Sequence, residues 1–208
     1  MTDIRIRLLQ EEDWDGVVAL EERAYAASGL SEGREALRSR HRASPDTCFV
    51  LEHAGGLGGY LLALPYPLFR CPDLGRAEAG GVRATNMHLH DLVVAEHLRG
   101  RGLAHRMLRG LEQTARDRGC RTMSLVAVGG SQVVWAPLGY RARPEIGLPE
   151  SYGSEALYMA MPLSPAPVVV PAPTAAAAPV VVPAPAVVQS LPPSTDPSLG
   201  FPPRAEVG

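Results

Sequence analysis

The chain has 208 residues, 46% of them hydrophobic, and a net charge of −2. That length supports one sizeable core and is too short for two comfortable domains. The near-neutral charge argues against nucleic acid or an anionic membrane as a partner. All the basic charge is arginine, with no lysine anywhere; with the richness in Ala, Pro and Gly, this suggests a high-GC bacterial genome. Cys48, Cys71 and Cys120 are scattered and odd in number, so neither a disulfide framework nor a zinc knuckle is indicated. Residues 1–10 are charged and alternating rather than apolar, and no apolar run is long enough to span a bilayer. A reduced cytoplasm is the expected home.

Ile4, Ile6 and Leu8 alternate with polar residues, which predicts a half-buried strand over 3–9. Glu11, Glu12 and Asp13 favour a helix start, and Trp14, Val17, Val18, Leu20 and Tyr25 form its apolar face up to Gly29. Ser31, Glu32 and Glu35 start a second short helix that stops before Ser44 and Pro45. Residues 47–53 and 58–66 read as a hairpin turning at Gly55 and Gly56. Residues 69–85, rich in Gly, Pro and charge, read as a mobile loop. A strong strand over 86–95 leads into a helix over 102–118, with Leu103, Met107, Leu111 and Ala115 on one face and Gly119 as its cap. The apolar run 121–128 reads as a strand buried on both faces. A short helix over 131–138 and strands at 140–143 and 155–161 complete an α/β domain with a mixed sheet, spanning 1–163. From 164 to 208 proline recurs every few residues, which predicts a polyproline-II-biased, disordered Pro/Ala/Val tail.

The chemistry concentrates in the segment from His88 to Ala104. A strand enters a glycine-bearing turn that opens a long helix, an arrangement that aims backbone N–H groups at an anion. Gly100 and Gly102 allow close approach to the backbone, and Arg99 and Arg101 add charge suited to phosphate. The same residues also fit an ordinary strand-to-helix turn with solvated arginines. A nucleotide-hydrolysing loop needs Gly-Lys-Ser/Thr, which a lysine-free chain lacks, and a dinucleotide fingerprint needs a third glycine where His105 stands.

Arg99-Gly-Arg-Gly102-Leu-Ala104 resembles the (Arg/Gln)-x-x-Gly-x-(Gly/Ala) signature of the GNAT superfamily of N-acetyltransferases, and Trp135-Ala-Pro-Leu-Gly139-Tyr140 is similar to that family's (Tyr/Trp)-x-x-x-Gly-(Phe/Tyr) segment. The order of elements over 1–163 agrees. The resemblance implies acetyl-CoA as co-substrate, no metal, and transfer to a primary amine, with a homodimer possible; the acceptor expected from the residues named below is a small aromatic or aliphatic amine, with a protein N-terminus or an aminoglycoside as alternatives. It places the pyrophosphate on the N–H groups of Arg101, Gly102, Leu103 and Ala104. The pantetheine arm pairs with the backbone of Leu92, Val93 and Val94, between strands 86–95 and 121–128, which splay apart. An N–H near Leu92 then stabilises the oxyanion.

An amine must lose a proton to attack, so a base is required. His88 and His90, two apart on a strand, face one side and titrate in the useful range. The His-Leu-His-x-Leu-x-Val pattern is similar to that of arylalkylamine N-acetyltransferases, whose paired histidines pass the proton out through ordered water. The same pair also reads as packing histidines on a half-buried strand. Asp91 points to the opposite face unless a bulge shifts the register, and more often tethers backbone than acts as base. His97 and His105 read as solvated. Many relatives protonate the thiolate with a tyrosine where this chain has Trp135, which leaves solvent, Ser131 or Tyr140. That substitution motivates an alternative, a non-catalytic acyl-CoA-binding regulatory module. A His-x-His-x-Asp metal site fits poorly, because Asp91 comes one residue early. Tyr25, Tyr66 and Phe69 are candidates for an apolar acceptor wall, and Glu21 or Glu22 for attracting a cation.

Overall fold

The computed structural model describes residues 4–163; the tail expected over 164–208 lies outside the described residues. The strands are β1 (Ile4–Leu8), β2 (Phe49–His53), β3 (Gly56–Pro65), β4 (Asn86–Val94), β5 (Thr122–Ala127), β6 (Arg141–Ala142) and β7 (Leu157–Pro162). The helices are α1 (Trp14–Tyr25), α2 (Arg34–Ala43), α3 (Leu103–Asp117) and α4 (Gln132–Trp135). They build one mixed sheet in the order β1-β2-β3-β4-β5-β7-β6, antiparallel except for the parallel pair β4–β5.

The helices cover both faces, as the sequence pattern requires of central strands apolar on both sides. On one face α3 lays Leu103, Met107, Leu108, Leu111 and Ala115 against Leu61, Met87, Leu89, Met123 and Leu125. On the other, Trp14, Val17 and Leu20 of α1 and Leu37 of α2 pack on Val50, Tyr60, Leu62 and Val93. α1 ends through a short 3-10 turn at Gly29, whose φ of 70° closes the helix. α2 begins at Arg34, not at Ser31. The side chains of the expected starting residues are taken up elsewhere: Ser31 Oγ donates to Glu21 Oε2 at 2.6 Å, and Glu32 accepts from Arg40 Nη2 at 3.0 Å.

Residues 69–85 have no strand or helix, as expected of a loop, yet side chains pin the first half. Arg40 donates to the carbonyls of Asp73 (2.7 Å) and Arg76 (2.6 Å). Tyr152 Oη donates to Pro72 O at 3.0 Å, and Phe69 N donates to Tyr158 Oη at 3.0 Å.

β3 lies against β4 with no room to spare. A Cβ on Gly59 would stand 2.7 Å from the Val93 carbonyl oxygen, which is backbone and cannot swing aside. Gly59→Ala is expected to destabilise the protein by about 1–3 kcal/mol through this overpacking. Urea denaturation would measure it; a change within about 0.5 kcal/mol, the range of neutral surface substitutions, would contradict so close a fit.

Candidate active site

β4 and β5 pair only at Asn86–Thr122, Met87–Met123 and His88–Ser124. Beyond that point they part, although β4 continues to Val94 and β5 to Ala127. Ala95 N donates to Gly58 O at 2.9 Å, and β3 pairs with β4 in unbroken register from Gly59–Val94 to Leu62–Asp91. Antiparallel alternation therefore turns the peptide groups of Asp91 and Val93 toward β3, and those of Leu92 and Val94 toward the gap. On that side Arg99 Nε donates to Val94 O at 3.1 Å.

The turn after β4 is built from two left-handed glycines, Gly100 (φ 75°) and Gly102 (φ 72°), with open space where a Cβ would stand on either. Gly102 is the N-cap of α3 and supplies no side-chain capping bond, and the first turn carries no acidic residue. The first free donors of a 15-residue helix thus meet solvent at an exposed Arg101. Such a terminus, with its dipole, accepts phosphate oxygens readily. Trp135 is partly buried against the α3-side core and meets Tyr140 edge-on, ring centroids 5.7 Å apart. Tyr140 is 2% exposed, with a buried hydroxyl that has no partner and a pKa raised by desolvation.

The opposite side of β4 carries the titratable groups. Leu62 pairs with Asp91, while the next residue, Ala63, pairs with Leu89. His90 is therefore the extra residue of a β-bulge, which changes the face of everything after it. Simple alternation puts Asp91 opposite the histidines; the bulge brings Asp91 and Val93 to the α1–α2 face with them and sends Leu92 and Val94 to the α3 face.

His88 is fully buried. Its Nδ1 lies 3.0 Å from Ser124 Oγ, and its Nε2 has no partner. Burial, with His90 and Arg40 nearby, lowers its pKa well below the ordinary imidazole value. It is neutral at pH 7, so the expectation that both histidines titrate near neutrality is corrected for His88. His90 Nε2 lies 2.6 Å from Glu32 Oε1, and its Nδ1 is buried without a partner. Arg40 Nε sits 3.4 Å from the same Nε2; the shorter contact to a carboxylate assigns the proton to Nε2, donated to Glu32. Asp91 accepts from Tyr25 Oη at 2.7 Å and from Tyr60 Oη. Desolvation, opposed by these two bonds, raises its pKa to about 6.

One cavity of about 50 Å³ gathers these groups. Glu21, Tyr25, Glu32, His90 and Asp91 line it, with Val126 and Val128 across the gap and Leu74 and Tyr152 as a cover. Tyr25 of the expected acceptor wall is here, with Glu21, one of the two acidic residues expected to attract a cation. Tyr66 instead sits beside His88, centroids 6.1 Å apart, and Phe69 lies against Tyr158 at 6.3 Å. Glu32, Arg40, Ser124 and Tyr152 went unremarked as site residues in the sequence, because no spacing links them to His90; α2, β5 and the loop before β7 bring them together. Among the described residues, no group of three or more His, Cys, Asp or Glu could hold a metal ion, and no helix is long and apolar enough to cross a membrane.

The fold has many solved counterparts. Ard1 from Thermoplasma volcanium matches with a TM-score of 0.60 at 14% identity, covering 77% of this chain and 98% of that one. A GphF GNAT-like decarboxylase in complex with isobutyryl-CoA matches at 0.64 and 20% identity, over 77% and 100% of the two chains. N-acetylglutamate synthase from Neisseria gonorrhoeae, complexed with coenzyme A and N-acetyl-glutamate, matches at 0.60 and 20% identity, over 79% of this chain but 36% of that longer one. At these identities the likeness is one of fold. No curated protein sequence matches significantly. A family model does: that of the acetyltransferase (GNAT) family matches residues 14–136, from the start of α1 through the glycine turn and α3 to α4. With more than half of the chain so matched, this protein belongs to the acetyltransferase (GNAT) family.

Proposed function

We propose that the protein transfers an acetyl group from acetyl-CoA to a primary amine of a small molecule, with His90 as the base. The observation that carries this reading is the opening between β4 and β5. The cavity holding His90 is walled by β4 and by Val126 and Val128, beyond the last paired residues of the two strands. Free peptide groups and a buried base therefore face one gap. Three features of the site support CoA there: two left-handed glycines under open space, an uncapped helix start, and a strand edge left unpaired. Arg101, Gly102, Leu103 and Ala104 would hold the pyrophosphate, Arg99 and Gly100 would shape the turn, and the backbone of Leu92 and Val94 would line the pantetheine path, with Trp135 at its margin; Val93, expected there too, turns its peptide groups to β3 instead. Acetyl-CoA supplies an activated thioester.

The chain's own residues do the rest. The Leu92 N–H, aimed at the gap, would polarise the acetyl carbonyl. Glu32 holds the Nε2–H of His90, leaving the Nδ1 lone pair to take the amine proton. His88, held by Ser124, stays neutral; its unpartnered Nε2 and the unpartnered Nδ1 of His90 belong to rings 6.3 Å apart. Before an acceptor binds, a water between them would satisfy both, and the amine would replace it at Nδ1. Tyr140, buried beneath Trp135, is a poor acid for the leaving thiolate, which leaves Ser131 or solvent.

Incubation of the full-length protein with acetyl-CoA and a panel of amines, following CoA thiol release, tests the reading. Amine-dependent release is expected, falling about 10²–10⁴-fold in His90→Ala while acetyl-CoA affinity is kept. Tight acetyl-CoA binding with no turnover on a broad panel would favour the regulatory module instead. Failure to bind acetyl-CoA would overturn the assignment of the glycine turn.

The ionisation of Asp91 makes a separate prediction. Its folded pKa of about 6 stands above the ordinary value of 3.8, so the folded protein takes up a proton that the unfolded chain does not. Its contribution is complete below the unfolded pKa and is lost as pH rises through about 6. A shift of this size is worth about 2–3 kcal/mol. The stability of Asp91→Asn relative to wild type should therefore be more favourable at pH 8 than at pH 4, whatever the pH-independent cost of leaving one tyrosine without its acceptor. A stability difference independent of pH, by thermal unfolding, would contradict a raised pKa.

A further inference from the structure

A hydrogen-bond account of the cavity shows which ligands it can satisfy. Three carboxylates line it: Glu21 is 1% exposed, and Glu32 and Asp91 are each 8% exposed. Among the described residues the single buried cation beside them is Arg40, and its guanidinium is committed to Glu32 and to the carbonyls of Asp73 and Arg76. Glu21 and Asp91 have no ion pair among the described residues. Their donors are neutral: Ser31 Oγ and the Glu32 N–H for Glu21, Tyr25 and Tyr60 for Asp91. Both tyrosine hydroxyls lining the cavity have already given their protons, Tyr25 to Asp91 and Tyr152 to the Pro72 carbonyl. His90 donates through Nε2 to Glu32, so its remaining ring nitrogen is an acceptor with a 1% exposed side chain and no partner.

The side chains of the cavity thus offer acceptors and negative charge, with no donor left unspent. An ammonium or amine, which brings donors and in one form positive charge, completes the unmet Nδ1 and compensates carboxylates kept in a dry site. A carboxylate would meet acceptors and like charge, which disfavours it.

We propose that this cavity selects an acceptor whose amino group has no carboxylate beside it, an alkyl, arylalkyl or diamine base, and rejects α-amino acids. The proposal rests on the transferase reading of the same site. It would separate this protein from its structural neighbour crystallised with N-acetyl-glutamate.

Matched pairs differing only in the carboxylate test it: tyramine against tyrosine, agmatine against arginine, 2-phenylethylamine against phenylalanine. Binding is measured by calorimetry on the full-length protein saturated with CoA, which cannot react. At least one amine should bind at least tenfold more tightly than its amino-acid partner, and that affinity should drop at least tenfold in Glu21→Gln while CoA affinity holds. Equal or tighter binding of the amino acids, no binding by any amine, or an amine affinity indifferent to Glu21→Gln would overturn the proposal. The comparison on wild type decides the matter if the variant does not fold. Replacing CoA by acetyl-CoA then reads turnover separately. Selective amine binding without acetylation supports the selectivity and refutes the transferase reading, whereas preferred acetylation of the amino acids refutes the selectivity and supports the transferase.

Discussion

The parting of β4 from β5 after His88 and Ser124 is the constraint on which the site depends. Two parallel strands in the middle of a sheet ordinarily satisfy each other's peptide groups along their length. Here they stop, and the peptide groups of Leu92 and Val94 face a gap that no strand fills. A buried polar group left unmet is costly, so an opening of this kind persists where a ligand or water meets it. The rest of the architecture keeps the two edges apart: α3 packs on one face of both strands, α1 and α2 cover the other face of β4, and β7 holds the far edge of β5 over its whole length.

The second determinant is a single extra residue. The bulge at His90 changes the face of the strand after it, so the same nine residues send Leu92 and Val94 one way and His90 and Asp91 the other. Backbone contacts to a cofactor and side-chain contacts to an acceptor thereby come from one short stretch without competing for space. Burial then sets the chemistry of each group. His88 is held neutral by desolvation, His90 is oriented by Glu32, and Asp91 is kept between two tyrosines with its carboxyl poised near neutrality.

Arg40 joins these parts to the loop above them. Fully buried, it binds Glu32 on one side and the carbonyls of Asp73 and Arg76 on the other. The carboxylate that orients His90 and the loop that covers the cavity therefore share one cation. Removing one member of such a buried set leaves another uncompensated, at a cost of about 3–5 kcal/mol, so the base and the cover hold or fail together.

The sequence by itself determined the order of strands and helices, the glycine turn at Arg99–Ala104 and the strand carrying both histidines, because periodicity, turn glycines and helix boundaries are local properties of the chain. It also carried enough of the family's two motifs to imply the co-substrate. Tertiary structure alone decided the rest. The bulge at His90 is invisible in composition, since one inserted residue leaves the hydrophobic pattern almost unchanged while reversing the side of Asp91. Glu32 looks like the start of a helix, because its pull toward Arg40 and His90 exists only once α2 packs on β3 and reaches β4 through Arg40. The neutrality of His88 and the raised pKa of Asp91 come from desolvation, which a residue's neighbours in space impose and its neighbours in sequence do not reveal.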